Sequence, residues 1–307
     1  MFSRFLLAMI SWATLAHSTT RQFIILGDTG KNNLGQRKVA EAITRHCQRE
    51  MCHHGMLAGD NVYDAGMTSA HDPIMDQVFR NYYSHLPFRF FVALGNHDYG
   101  KLSYSWERGA YQLEYAKRNP QFILPRYYYY VEFDNVVLVV LDTTRLMWNK
   151  EVEQQAAMIQ EAYARSQGKW FLVLGHHPYL SNGPHGNAGQ YEGLPFPPMV
   201  SGTHVKSFIE QQVCGRAHMY ISGHDHSLQI LDGRQRNCKS LLVISGGGAS
   251  ASEVSQRNQA FFSQGRIGFM SLITSSQSLH LRVIDGTNPD LVLYQGSISN
   301  RSTRRKP

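Results

Sequence analysis

Gly59-Asp60-Asn61-Val62-Tyr63 follows the apolar run Met56-Leu57-Ala58. Such a run reads as the end of a buried strand, which would leave Asp60 and Tyr63 on the rim beyond it. A carboxylate has two oxygens and can bridge two metal ions. A phenol beside it becomes a ligand only for a strongly acidic ion such as ferric iron, because a softer divalent ion rarely deprotonates tyrosine near neutral pH. The reading then depends on whether other strands end in further ligands.

They do, in order. Strands are predicted at Phe23 to Leu26, up to Ala58, Phe90 to Leu94, Trp170 to Leu174 and Met219 to Ile221. They lead into Gly27-Asp28-Thr29-Gly30, the opening stretch, Gly95-Asn96-His97-Asp98, Gly175-His176-His177 and Gly223-His224-Asp225-His226. Each loop opens on a glycine, which allows a sharp turn. Ligands in open α/β sheets gather beyond the carboxyl ends of strands, so the five loops should converge. Any one match is weak, since an Asp after a strand is usually a helix cap. Asp, Asp-x-x-Tyr, Asn-His, His and His-x-His after successive strands point together to a metal site.

Between these strands, helices are expected over Gln36 to His46, within Asp72 to Tyr83, over Glu151 to Arg165 and over Thr203 to Val213. Tyr127 to Phe133 and Val136 to Leu141 read as a hairpin turning at Asp134-Asn135. After residue 227 the pattern becomes short strands: Leu228 to Leu231, Leu241 to Ile244, Ile267 to Ile273, Leu279 to Ile284 and Leu291 to Tyr294. The order implies one layered α/β domain with mixed sheets. The loop from Ser181 to Gly202, rich in Gly, Pro and His, sits where functional loops are often found.

The motifs GDTG, GDNVY, GNHD, LGHH and GHDH resemble those of the purple acid phosphatases, within the calcineurin-like metallophosphoesterases. The resemblance spans about residues 22 to 295, and the compact length is similar to the tartrate-resistant, mammalian-type enzymes and their bacterial relatives. Generic metallophosphoesterases carry Asp-x-His in the first loop. This chain has Asp28-Thr29-Gly30 instead, and it has Tyr63, the pairing that marks the purple acid branch. The resemblance implies a four-layer α/β/β/α sandwich. It also implies a ferric ion held by Asp28, Tyr63 and His226, a divalent ion held by Asn96, His176 and His224, and Asp60 as the bridge. Hard anionic oxygens suit Fe(III); two imidazoles and an amide suit Fe(II), Zn or Mn.

A metal pair of this kind clamps a phosphate and presents a bound hydroxide in line with the leaving group, at a pH below neutral when one ion is ferric. The departing alkoxide needs a proton. His97 is the first candidate to give it, and His185, which matches a family histidine facing substrate, is the second. The implied activity is an acid phosphatase acting on phosphomonoesters. The alternatives are a phosphodiesterase or nucleotide hydrolase on the same scaffold, and a non-catalytic exported metal-binding protein. His177 reads as a packing residue. Asp98 and Asp225 read equally as orienters of histidines or as loop caps. Gly246-Gly247-Gly248 reads as a tight turn beside the pocket. The segment from Asp142 to Lys150 is too short for the protease-sensitive loop of mammalian-type relatives, so cleavage control is not expected.

Residues 1–18 read as a signal peptide: Arg4, the apolar run Phe5 to Leu15, then Ala16-His17-Ser18. A membrane anchor or a buried first helix is the competing reading of that run. The domain is expected over 19–297 and a basic tail over 298–307. Setting aside Arg4 and the four tail cations leaves about +2 of the +7 formal charge, which suits an anionic substrate and gives no reason to expect nucleic acid. Small phosphorylated substrates, phosphoproteins or nucleotides fit, with a monomeric, secreted, periplasmic or lysosomal protein that leaves the membrane after cleavage. The four cysteines allow three pairings, with Cys47–Cys52 and Cys214–Cys238 favoured. A zinc site from Cys47, Cys52, His53 and His54 is the rival, crowded for one ion.

Overall fold

The computed structural model describes residues 20–101 and 104–299. Its strands begin with β1 (Arg21–Leu26), β2 (His54–Ala58), β3 (Arg89–Ala93), β4 (Phe122–Ile123), β5 (Tyr129–Glu132), β6 (Val136–Val140) and β7 (Trp170–Leu174). They continue with β8 (Met219–Ser222), β9 (Leu228–Asp232), β10 (Leu241–Ser245), β11 (Ala260–Gln264), β12 (Gly268–Thr274), β13 (Ser278–Asp285) and β14 (Val292–Ser299). Two seven-stranded sheets result, ordered β14-β13-β12-β1-β2-β3-β4 and β11-β9-β10-β8-β7-β6-β5. Both are mixed: β1, β2, β3 and β4 run parallel while β12, β13 and β14 are antiparallel. In the second sheet β6, β7, β8 and β10 run parallel, with antiparallel pairs at both ends.

The alternation of side chains along a strand separates the layers. In the second sheet, Val136, Leu138, Val140, Trp170, Leu172 and Leu174 join the large core shared with the first sheet. Their neighbours Val137, Val139, Leu141, Phe171 and Val173 face the other way and pack with Ile159, Ala162, Val205 and Phe208 of the covering helices. Across the molecule, Val39 and Ile43 of the Leu34–Arg49 helix cover the first sheet. These side chains are all 3% exposed or less. At about 1.5–3 kcal/mol for each fully buried side chain, this burial is what holds helix, sheet, sheet and helix together. The expected α/β class and mixed sheets are present, in four layers.

The expected elements recur with small boundary changes. The hairpin turns at Asp134-Asn135. The Thr203–Phe208 helix widens to a π-turn over Ile209–Val213. Several elements were not legible, among them three considered next and the short helices Thr143–Met147 and Pro198–Ser201. The Trp106–Arg118 helix carries Gly109, a poor helix residue, because the Tyr99 ring lies 2.3 Å from where its Cβ would be. The β4 strand is two residues long. The β11 edge strand has Phe261 49% exposed and no alternating pattern to read. The last strand, β14, runs two residues past 297, pairing Ile298 with Leu279 and Ser299 with Ser278. The expected signal peptide over 1–18 and residues 300–307 of the expected tail lie outside the described residues.

Both favoured disulfides form, Cys47–Cys52 and Cys214–Cys238, so the zinc alternative loses two of its ligands. Among the described residues, no helix is long and apolar enough to cross a membrane.

The end of the Leu34–Arg49 helix is tied to the sheet by a charge cluster. Glu50 accepts from both terminal nitrogens of Arg282 on β13, one at 2.7 Å, and from Gln22 Nε2 on β1 at 3.1 Å. The Arg282 hydrogen bonds hold the Glu50 carboxyl below its ordinary 4.5, against the opposing effect of partial burial. A carboxylate whose pKa falls on folding stabilises the fold above its unfolded value and loses that effect as the pH drops through the folded one. Glu50→Gln should therefore lower Tm at pH 7. The deficit should shrink as the pH is taken well below 4.5, checked by thermal melts of both proteins across that range.

Candidate metal centre

The parallel runs of the two sheets end side by side. Asp28 N–H donates to Gly59 O at 2.9 Å, joining the loops after β1 and β2. His224 N–H donates to Asp28 Oδ2 at 2.9 Å, joining the two sheets, and Gly223 N–H donates to His176 O at 3.0 Å, joining the loops after β7 and β8. All seven expected ligands come together there, around the two oxygens of Asp60.

On one side, the Tyr63 hydroxyl lies 2.8 Å from Asp60 Oδ2, 3.1 Å from Asp28 Oδ1 and 3.0 Å from His226 Nε2. One hydroxyl proton cannot serve three acceptors at once. On the other side, His176 Nε2 lies 3.0 Å from Asn96 Oδ1, 3.2 Å from His224 Nδ1 and 3.4 Å from Asp60 Oδ1. His176 Nδ1 faces the Ala58 carbonyl at 2.8 Å. A carbonyl only accepts, so Nδ1 carries the proton and Nε2 turns a bare lone pair toward Asn96. The donor atoms of Asp28, Asp60 and His176 lie within 4.8 Å of one another. Each side is therefore a set of converging lone pairs with too few protons, the arrangement that a cation resolves.

The electrostatics agree. Burial, reinforced by the charge of Asp60, pushes the Asp28 carboxyl well up from its ordinary value. Burial also pushes Asp60 up, but its place beside His176 and His97, with hydrogen bonds from the His97 backbone N–H and the Tyr63 hydroxyl, holds it below its ordinary value. Burial drives His224 well below the ordinary imidazole value, and His226 down to about 4, so both rings stay neutral and able to ligate. Tyr63 is pushed well above the ordinary phenol, first by burial and then by Asp28 and Asp60. Only a strongly Lewis-acidic ion would deprotonate it.

Close packing fixes these positions. Of the five loop-leading glycines only Gly59 has the left-handed backbone, with φ 88°. The turn expected of the other four is instead a need for space. A Cβ on Gly95 would lie 2.2 Å from Asp60 Oδ1, and one on Gly223 would lie 2.4 Å from Asp28 Oδ2. The left-handed conformations fall on the ligands themselves: Asp28 at φ 59°, Asp60 at 54° and His224 at 69°. Each costs on the order of 1–3 kcal/mol, which the hydrogen bonds between the loops must offset. Gly30 explains the missing first-loop histidine. Its N–H donates to Asp60 O at 3.2 Å and its carbonyl accepts from Tyr63 N–H at 2.9 Å. A Cβ there would meet Asn61 O at 2.2 Å. With the loops zipped this tightly, position 30 has no room for a side chain and the phenol of Tyr63 reaches the cluster instead.

Around this centre lies a cavity of about 650 Å³, lined by Lys31, His97, Lys101, His185, His224 and His226 among others. The His97 ring stacks on Tyr63 at 4.2 Å, with Nδ1 on the Asp64 carbonyl and Nε2 3.9 Å from Asp60 Oδ2. The His185 ring lies 4.2 Å from that of His224, and its Nδ1 pairs with Glu192. His177 is fully buried behind the centre, with Nδ1 2.9 Å from the Thr143 hydroxyl, which fits a packing role. Asp98 and Asp225 orient no imidazole. Asp98 accepts from the backbone of Asn61, Val62 and Gly95 and so locks the second loop to the third. Asp225 accepts from Ser181 and from the His185 backbone. Gly246 packs against Asp28, and Gly248 N–H donates to Gly27 O, so the glycine run is a packed turn. Sequence reasoning missed Lys31, whose ammonium lies 4.6 Å over the Tyr63 ring, and Lys101. Nothing in the local pattern separates these lysines from the other surface cations.

The calcineurin-like phosphoesterase family model matches residues 21–228. The chain belongs to that family. A metallophosphoesterase of this kind implies a two-metal site, and the paired clusters about Asp60 fit one. Over 298 residues the chain is 26% identical to purple acid phosphatase 3 of Arabidopsis thaliana, covering 87% of this chain and 75% of that one. It is 28% identical to tartrate-resistant acid phosphatase type 5 of Rattus norvegicus, covering 74% and 72%. In fold it is similar to GAP50, the anchor in the inner membrane complex of Plasmodium. That match has a TM-score of 0.71 and 18% identity, over 91% of this chain and 89% of that one. PhoD is a further match, at a TM-score of 0.56 and 13% identity, over 91% and 68%.

Gly95→Ala tests the packing account. Gly95 lacks the left-handed backbone, so alanine fits the chain locally, yet its methyl must displace the Asp60 carboxylate. The variant should keep its circular dichroism and bind zinc at least about tenfold more weakly in a competition titration, as when a group supporting a ligand is disturbed.

Proposed function

We propose that this metallophosphoesterase is a secreted acid phosphatase, hydrolysing phosphomonoesters at a dinuclear Fe(III)–M(II) centre with M as Fe, Zn or Mn. The observation that carries the reading is Tyr63 within the cluster of Asp28, His226 and Asp60 Oδ2, opposite the softer set of Asn96, His176 and His224. Two ions held there would neutralise phosphate oxygens and acidify a water.

The chain's own groups do the rest. Hydrolysis forms a bond from water oxygen to phosphorus and breaks the ester P–O bond, and the departing oxygen takes up a proton. His97 faces the cavity with Nε2 while Nδ1 is occupied by the Asp64 carbonyl, so Nε2 is the atom that would hold that proton. His185, steadied by Glu192, faces the same cavity and would bind phosphoryl oxygens. Lys31 and Lys101 add positive charge for a dianionic monoester. The two disulfides support export, because such bonds persist in oxidising compartments. The likeness to purple and tartrate-resistant acid phosphatases supports the choice of phosphomonoester over diester.

The purified protein should show a visible tyrosinate-to-iron charge-transfer band, and Tyr63→Phe should abolish it. A colourless, active protein containing only zinc or manganese would contradict the ferric assignment. For the reaction, p-nitrophenyl phosphate should be hydrolysed well ahead of bis(p-nitrophenyl) phosphate; the reverse preference would favour a phosphodiesterase.

A further inference from the structure

The metal centre occupies one end of its cavity. Besides the metal donors and cations, the wall includes Tyr104, Met147, Trp148, Tyr191, Met199 and Val200. None of these carries charge, and none is needed to hold a metal or a phosphate. About 650 Å³ is the size of a pocket that encloses a whole organic ligand rather than a phosphate group alone.

The wall is firmly held. The Thr143–Met147 helix begins at Asp142, whose Oδ1 accepts from Arg145 N–H at 2.9 Å. Arg145 then bonds Glu151 at 2.7 Å and lays its guanidinium 3.8 Å over the Tyr127 ring. This fixes Trp148, directly after the helix, and Trp148 meets Tyr104 edge to face at 4.7 Å. On the metal side Tyr191 is buried, with its ring 5.9 Å from that of the proposed ligand His224 and its hydroxyl on the Pro178 carbonyl. At the mouth the apolar surface continues past Val200 to Leu194 and Phe196, which are 47% and 74% exposed.

We infer that this wall is a leaving-group shelf, and that the preferred substrates are phosphomonoesters whose alcohol carries an aromatic ring system. The inference rests on the phosphatase reading. Once the phosphate is anchored among the metal donors and Lys31, the rest of the substrate meets this apolar wall. Flat side chains held edge to face, with Trp148 Nε1 buried and the Tyr191 hydroxyl on the Pro178 carbonyl, favour another ring over a sugar or a glycerol, whose hydroxyls would lose water there and find few partners.

The test compares alcohols of similar basicity, so that the bond-breaking step is matched. The full-length protein loaded with its metals is assayed on 2-(2-naphthyl)ethyl phosphate, hexyl phosphate and ethyl phosphate. The naphthyl ester should exceed ethyl phosphate in kcat/KM by about tenfold, the size of one ring stacked on another, with most of the difference in KM. In Trp148→Ala that ratio should fall to within about threefold, while Trp148→Phe should retain most of it. Val200→Ser, at a partly exposed rim position, gives an independent reduction should the tryptophan variant fail to fold. Equal wild-type kcat/KM for the naphthyl and ethyl esters would overturn the shelf and leave the phosphatase standing. An equal gain for hexyl phosphate would overturn the aromatic preference. Hydrolysis of none of the three would overturn both readings.

Discussion

Asp60 is 1% exposed, and its two oxygens face different groups of side chains, Oδ1 toward His176 and Oδ2 toward Tyr63. An isolated buried carboxylate is costly and would normally neutralise itself by taking up a proton. Here the His97 backbone N–H donates to Oδ1 at 2.9 Å and the Tyr63 hydroxyl lies 2.8 Å from Oδ2, contacts that favour the ionised form. That leaves one carboxylate serving two clusters that each lack protons. The five loops, the left-handed ligands and the glycines all follow from bringing this group and its partners to one place.

The constraint reaches into the fold. Gly95 and Gly223 are glycines because carboxylate oxygens of Asp60 and Asp28 occupy the space their side chains would need. Gly30 is a glycine because the first and second loops are zipped together at Asn61. Tyr63, three residues along the same zipped loop, reaches the centre from the other side. The trade of a first-loop histidine for a second-loop tyrosine is thus a single packing change. Asp98 extends the frame outward, taking three backbone N–H groups and Gln112 from the Trp106–Arg118 helix. The strain at three ligand backbones is borne by this network rather than by the ligands.

Much of this was legible in the sequence because the site is built at strand ends. Apolar runs such as Val136 to Leu141 and Trp170 to Leu174 declare their strands, and the residues after the glycines then declare the site. The resemblance of five motifs to one family assigned the ligands, and the structure brings all seven within reach. What was not legible depends on contacts distant in sequence. The role of Asp98 appears only when Asn61 and Gly95 are seen beside it, and that of Gly30 only when Asn61 O is placed. Lys31 and Trp148 carry no local signal that separates them from a surface cation or a packing aromatic. The β11 strand is defined by its partner β9 rather than by any alternation of its own.

We propose that the converging lone pairs about Asp60 cradle two different metal ions. The most direct measurement is a crystal structure of protein purified without added metal, with anomalous data collected on both sides of the iron edge. The account predicts two peaks flanking the Asp60 carboxylate. The one among Asp28, Tyr63 and His226 should be iron, and the one among Asn96, His176 and His224 a divalent ion. A single peak, an iron-free Tyr63 side, or a cluster closed by hydrogen bonds with no ion would contradict it.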